Sequence, residues 1–156
     1  MPLLVNDLRI EKRRVAVAVA FMSGTRIEGE LFVQASAHFP GALEDAPEVL
    51  NANDAFFPLA LLSGETLLVA KDNVRTVIVP RRDIHEDAAL GIHARVEIAL
   101  RDGERLSGSL YIEPVAGASR LLDELNRRQE RFLTLFGRES VILINRMLIE
   151  RVRALV

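Results

Sequence analysis

The stretch Gly24-Thr25-Arg26-Ile27-Glu28-Gly29-Glu30-Leu31-Phe32-Val33 returns as Gly103-Glu104-Arg105-Leu106-Ser107-Gly108-Ser109-Leu110-Tyr111-Ile112. The likeness continues downstream. Leu50-Asn51 followed by Phe56-Phe57-Pro58-Leu59 is matched by Leu125-Asn126 followed by Phe132-Leu133-Thr134-Leu135. Leu68 to Val77 is matched by Leu143 to Val152, an apolar run, a short polar break and a second apolar run in each case. A tandem duplication therefore organises the chain, and a repeat of this kind constrains architecture before any other feature does.

Each copy opens with a hairpin. Val15, Val17, Val19 and Phe21 alternate with Ala16, Ala18 and Ala20, the period of a strand with one buried face. A face of alanines alone suits close packing or an interface. Ser23-Gly24 turns the chain, and Ile27, Leu31 and Val33 form the second strand. Val96, Ile98 and Leu100 lead through Asp102-Gly103 into Leu106, Leu110 and Ile112 in the same way, and Asp-Gly between alternating runs signals a hairpin. Gly29 and Gly108 fall mid-strand in both copies, which marks a bend or the close approach of another backbone.

After a polar loop (residues 34–46 and 113–119), each copy carries a short helical stretch. Pro47 suits a first turn, and Leu121, Leu122 and Leu125 share one helical face. Asn51 and Asn126 follow as helix stops. Phe56 to Leu59 and Phe132 to Leu135 read as third strands, with Pro58 pointing to an edge position. Residues 65–69 with 74–79, and 141–144 with 149–155, complete five strands per copy. The boundaries are 1–80 for the first copy, 81–93 for a connector and 94–156 for the second. The fold class is all-β with short helical turns. Copies of this size bury little core alone, so shared buried surface is expected.

Composition narrows the function classes. A net charge of -2 exerts no general pull on nucleic acid or anionic lipid. Cysteine is absent, which excludes disulfides, thiolate ligands and thiol nucleophiles and fits the cytoplasm. The N-terminus lacks the pattern of a secretion signal, and no apolar run approaches membrane-spanning length. Only Lys12 and Lys71 are lysines, an arginine bias that reads as genomic.

Few residues suggest chemistry. Arg127, Arg128 and Arg131 crowd the second copy with Arg120 and Arg138, and guanidinium groups grip phosphates or carboxylates. Asp123, Glu124 and Glu130 lie among them, so a solvated, ion-paired face is the structural reading. His85, Glu86, Asp87 and His93 in the connector match no metal-ligand spacing, and His38 stands alone in a loop. Glu28 and Glu30 share a strand face that carries Ser107 and Ser109 in the other copy. Phosphate-cradling loops are missing, and Gly117-Ala118-Ser119 is not a nucleophile elbow. The expectation is a protein with no catalytic residues, no cofactor and no metal.

The five-strand copies, with a glycine in the bent second strand and the closing Ile144-Asn145-Arg146-Met147-Leu148-Ile149, resemble Sm-like small barrels. The resemblance runs from about Val15 to Val79 and from Ala94 to Leu155. More narrowly, the Leu-Asn, Phe-x-x-Leu and closing Ile-x-x-Val pattern is similar to an uncharacterised bacterial family of Sm-like domains. The wider family implies oligomers built by strands meeting edge to edge, and RNA binding in rings. Its uridine-binding members carry Asp-x-x-x-Asn after the second strand and Arg-Gly or Lys-Gly in the closing turn. Here those places read Glu113-Pro114-Val115-Ala116-Gly117 and Asn145-Arg146 or Lys71-Asp72, so neither copy keeps the RNA-contacting set. The function expected is a scaffold or adaptor working by β-edge association with itself or a protein partner. The alanine face of the first strand and the tail Met147 to Val156 are the expected contact surfaces. The alternative is an RNA-binding regulator using Arg127, Arg128 and Arg131.

Overall fold

The structure is a computed structural model that describes residues 14–85, 92–112 and 120–155. Residues 1–13, the stretch 86–91 of the connector, the loop 113–119 and residue 156 lie outside the described residues. The expectations placed on Glu86, Asp87, Glu113 to Gly117 and Gly117-Ala118-Ser119 therefore concern parts of the chain not described.

Among the described residues ten antiparallel strands form one sheet. They are β1 (Arg14–Phe21), β2 (Arg26–Phe32), β3 (Phe56–Ala60), β4 (Thr66–Ala70), β5 (Val74–Pro80), β6 (Ile92–Leu100), β7 (Arg105–Ile112), β8 (Phe132–Phe136), β9 (Ser140–Asn145) and β10 (Ile149–Ala154). Among the described residues two short helices, α1 (Ala46–Asn51) and α2 (Arg120–Arg127), bridge β2 to β3 and β7 to β8. The expected all-β class with short helical elements is what the molecule adopts. β6 begins at Ile92, inside the span assigned to the connector.

The sheet runs β10-β6-β7-β8-β9-β5-β1-β2-β3-β4. Within each half the order is the same: last strand, first, second, third, fourth. The turns agree in detail as well. Phe21 N–H donates to Thr25 O and Leu100 N–H to Glu104 O, each at 2.8 Å, while Met22 N–H reaches Asn73 O and Arg101 N–H reaches Leu148 O, each at 2.9 Å. Gly24 and Gly103 both take φ of 95° at the hairpin tips, a conformation open to glycine without strain.

Gly29 and Gly108 do one job twice. A Cβ on Gly29 would stand 2.7 Å from Ala60 O and 2.9 Å from Leu59 Cγ. On Gly108 it would stand 2.7 Å from Phe136 O and 2.9 Å from Leu135 Cγ. The missing side chain lets the third strand pass directly over the second. β2 pairs with β3 at Glu30↔Ala60 and Leu31↔Leu59 only, and β7 with β8 at Ser109↔Phe136 only. Short pairing at a tight crossing lets the sheet curl.

The core follows from this curl. Val17, Val19, Leu31, Leu50, Phe57, Leu59, Val69 and Val77 pack together, and Phe132, Val141 and Leu143 of the second half join the same cluster. Val96, Ile98, Leu110, Leu133, Leu135 and Ile144 form a second cluster. The halves share buried surface, as their small size demands.

Four local expectations need correction. Pro58 does not mark an edge: β3 is next to last, and the edge is β4. Pro58 fits because it lies outside the two-residue pairing with β2. The alanines of β1 are not uniformly packed, since Ala16 is exposed, Ala18 half-buried and Ala20 buried. Leu122 turns to solvent, while Leu121 and Leu125 pack on the core. Finally, Asn51 does more than end a helix, as its contacts below make plain.

Candidate functional site

Backbone polar groups must be paired, and a strand at the end of a sheet carries a row that is not. β4 and β10 are the two ends. Between them lies a third place where the halves meet, the β5–β9 joint. Its register is Thr76↔Ile144, Val77↔Leu143, Ile78↔Ile142, Val79↔Val141 and Pro80↔Ser140.

Side chains fasten this joint along its length. Asn51, at the last turn of α1, accepts from Phe132 N–H at 2.8 Å and donates to Phe132 O at 3.3 Å, bracketing one residue of the other half. Asn145 is buried; its amide donates to Val74 O at 2.9 Å while its oxygen accepts from Met147 N–H at 3.1 Å. Arg81 donates to Gly137 O at 2.7 Å and lies over the Phe136 ring at 5.2 Å. Arg131 pairs with Asp72 at 3.4 Å, and Arg75 reaches Asp102 at 3.0 Å and Glu104 at 3.6 Å. The Asp102 carboxyl is held below its ordinary pKa by the Glu104 backbone N–H and then by Arg75.

The outer edges carry the same residues without cover. Equivalent strand positions are read from the registers of β3–β4 and β8–β9. Leu143 is fully buried in the joint, whereas its counterpart Leu68 on β4 is 74% exposed. Phe132 is likewise buried, and its counterpart Phe56 is 58% exposed. Along β10, Glu150, Arg151, Arg153 and Ala154 are exposed where β5 is mostly buried. Met147, just before β10, is 70% exposed, while Ile149 and Val152 of the tail expected as a contact surface pack partly against the second cluster. Asn126, the counterpart of Asn51, is exposed.

The arginines of the second half are engaged internally. Arg127 and Arg128 pair with Glu124 at 2.5 and 2.6 Å, and Arg128 also reaches Glu130 at 3.1 Å and Tyr111 O at 2.8 Å. Burial by itself would lower the Arg128 pKa; the hydrogen bond to Glu124 and the charge of Glu130 outweigh it and raise the value. Arg131 is turned to Asp72 in the joint. Arg127 and Arg128 meet at Glu124, whereas Arg131 pairs across the joint with Asp72.

Lys71 and Arg146 occupy the closing turns. Lys71 is almost fully buried, and its ammonium donates to Val49 O at 3.1 Å and Ala52 O at 2.9 Å, the C-terminal end of α1. Arg146 donates to Leu125 O at 2.8 Å near the end of α2. Cations suit a helix C-terminus, where carbonyl groups lack partners. Burial, and then the charge of Arg131, lowers the Lys71 pKa. Both cations are thus committed to helix ends.

The other singled-out residues scatter. Glu30 meets Arg14 at 3.7 Å and Glu28 is exposed on the same strand. His93 stands edge-on to Tyr111 and Phe136. Among the described residues no helix is long and apolar enough to cross a membrane. No protein-family model, curated protein or solved structure matches the chain.

Proposed function

We propose that the protein is a non-catalytic assembly module, two fused Sm-like units that extend their sheet by recruiting a strand at β4 or β10 from another copy or a protein partner. One observation carries this reading: the molecule already contains, at β5–β9, a junction between a last-type strand and a fourth-type strand. Its free ends are a last-type strand, β10, and a fourth-type strand, β4. Such complementary, non-identical ends make a heterologous contact, which closes into a ring or runs on as a filament. Laid on the β5–β9 register, Val152 of one copy would face Leu68 of the next. Asn126 would then bracket Phe56 as Asn51 brackets Phe132. A cysteine-free chain suits a reducing compartment, and a cytoplasmic, bacterial setting belongs to the same reading.

Size-exclusion chromatography with light scattering, over a dilution series and with and without nuclease, tests the proposal. Masses above the 17.4 kDa chain that fall on dilution and ignore nuclease are expected. A 17.4 kDa species at every concentration would count against self-association. The RNA reading predicts something else: salt-steep binding to single strands that fades when Arg127, Arg128 and Arg131 become alanine. Their engagement with Glu124, Glu130, Tyr111 O and Asp72 favours assembly over RNA.

A further inference from the structure

The first half holds a cluster away from both edges. Asp45, Glu48 and His85 each present a ligand atom, and these atoms lie within 4.8 Å of one another. We propose that Asp45, Glu48 and His85 bind a divalent cation of the zinc type, tying α1 and the loop before it to the turn after β5.

The chain reaches this arrangement from distant positions. Asp45 caps α1, accepting Glu48 N–H at 3.1 Å, and its other oxygen accepts His85 N–H at 2.9 Å. His85 sits just after the turn Arg81–Asp83 that follows β5. Its Nε2 is 2.6 Å from Leu43 O. A carbonyl oxygen only accepts, so in the neutral ring Nε2 carries the proton and Nδ1 keeps a lone pair. A backbone carbonyl holding one ring nitrogen is the usual support of a metal-binding histidine. Glu48 is supported in turn by the Ser36 hydroxyl at 2.8 Å, and Phe39 covers the imidazole at 4.7 Å.

Charge supplies an independent argument. Asp45 is 5% exposed, and neither it nor Glu48 forms an ion pair with Lys, Arg or His among the described residues. Two neighbouring carboxylates, one buried, are costly without a counter-charge. A divalent ion provides it. Zinc–ligand distances of about 2.0–2.2 Å in a tetrahedron set two donors on one ion roughly 3.3–3.6 Å apart, so closure of the widest pair by about 1.2–1.5 Å completes the site. Mixed nitrogen and oxygen donors favour zinc, cobalt or nickel over magnesium or calcium, which prefer more numerous oxygens.

Three protein ligands leave a further position to water, and no reaction is assigned to it. The site's consequence is mechanical, since α1 also carries the Asn51 clasp on Phe132.

Protein stripped with chelator is titrated with zinc chloride by calorimetry, and with cobalt chloride by visible absorption. The expected results are one ion per chain, a raised Tm and cobalt d–d bands. His85→Ala and Glu48→Gln should each weaken binding about tenfold or more, and Ser36→Ala, which removes the hydroxyl that donates to Glu48 and accepts from the His38 and Phe39 N–H groups, by less. His38→Ala and His93→Ala should change nothing. Should His85→Ala fail to fold, Glu48→Gln and Ser36→Ala carry the comparison. No saturable binding at millimolar zinc, or titrations unaltered in the folded cluster variants, would overturn the site. Neither outcome depends on whether the chain self-associates.

Discussion

The β5–β9 joint and the outer strands β4 and β10 are built from corresponding residues under opposite conditions. In the joint, Phe132 and Leu143 are buried, Asn51 brackets Phe132, and the Asn145 amide donates to Val74 O. At the edge, Phe56 and Leu68 face water. The differences lie in the polar fastenings. Asn145, which donates to Val74 O, corresponds to Ala70 on β4, and Asp72, which receives Arg131, corresponds to Met147 at β10. The fused joint has directional locks; an outer joint would depend on backbone pairing, apolar contact and the single amide of Asn126. A permanent connection and a reversible one would be expected to differ in this way, because a buried donor or acceptor left alone costs about 1–3 kcal/mol.

The comparison is broken most forcefully at its aromatic pair. Phe132→Ala should cost about 3–5 kcal/mol of stability in urea melts, as for a phenylalanine removed from a packed core. Phe56→Ala should leave the dilute chain within about 1 kcal/mol of the parent yet lower its association, because an exposed side chain contributes little until covered. Equal losses in the two variants would erase the distinction between joint and edge.

Next in size are the glycines at the strand crossings. Gly29→Ala and Gly108→Ala should each destabilise by about 1–3 kcal/mol, since a Cβ 2.7 Å from a carbonyl oxygen forces backbone apart. Similar effects in both halves would support one shared geometry, and a neutral result at either would contradict it.

The asparagines give a smaller contrast. Asn51→Ala strands the Phe132 N–H and should cost about 1–3 kcal/mol, while Asn126→Ala should stay within about 0.5 kcal/mol in the dilute chain. The smallest effect is in pH. Burial makes folded Lys71 bind its proton less tightly than the unfolded chain does. In the window between that lowered value and the ordinary 10.5, the unfolded state holds more protons, so stability rises with pH. Urea midpoints of the parent, set against those of Lys71→Met, should show this rise only in the parent.

Much of the fold was legible because it rests on local patterns stated twice. The alternation around Val17 and Val96, the Asp102-Gly103 turn and the mid-strand glycines depend on period and sterics within a few residues. Pro58 misled because a proline needs only an unpaired position, and the sparse β2–β3 ladder offers one away from the edge. Asn51 misled for a different reason: its partner Phe132 is remote in sequence, and helix-stop chemistry accounted for it without one. Arg127 and Arg128 were legible as ion-paired because Glu124 and Glu130 stand at helical or adjacent spacing, whereas Arg131 pairs with Asp72, remote in sequence. The trio of Asp45, Glu48 and His85 was not legible, since β3, β4 and β5 intervene between the acids and the histidine. The sequence drew His85 toward its neighbours in the connector instead.

The free ends can be interrogated directly because the chain has no cysteine. Val152→Cys and Leu68→Cys are introduced together, and the protein is oxidised mildly at a concentration where it associates. A repeat of the β5–β9 register predicts disulfide-linked multimers from this pair and few from Val152→Cys with Leu67→Cys, whose side chain points to the opposite face. Monomers from both pairs, or equal cross-linking by both, would contradict edge-to-edge assembly in that register.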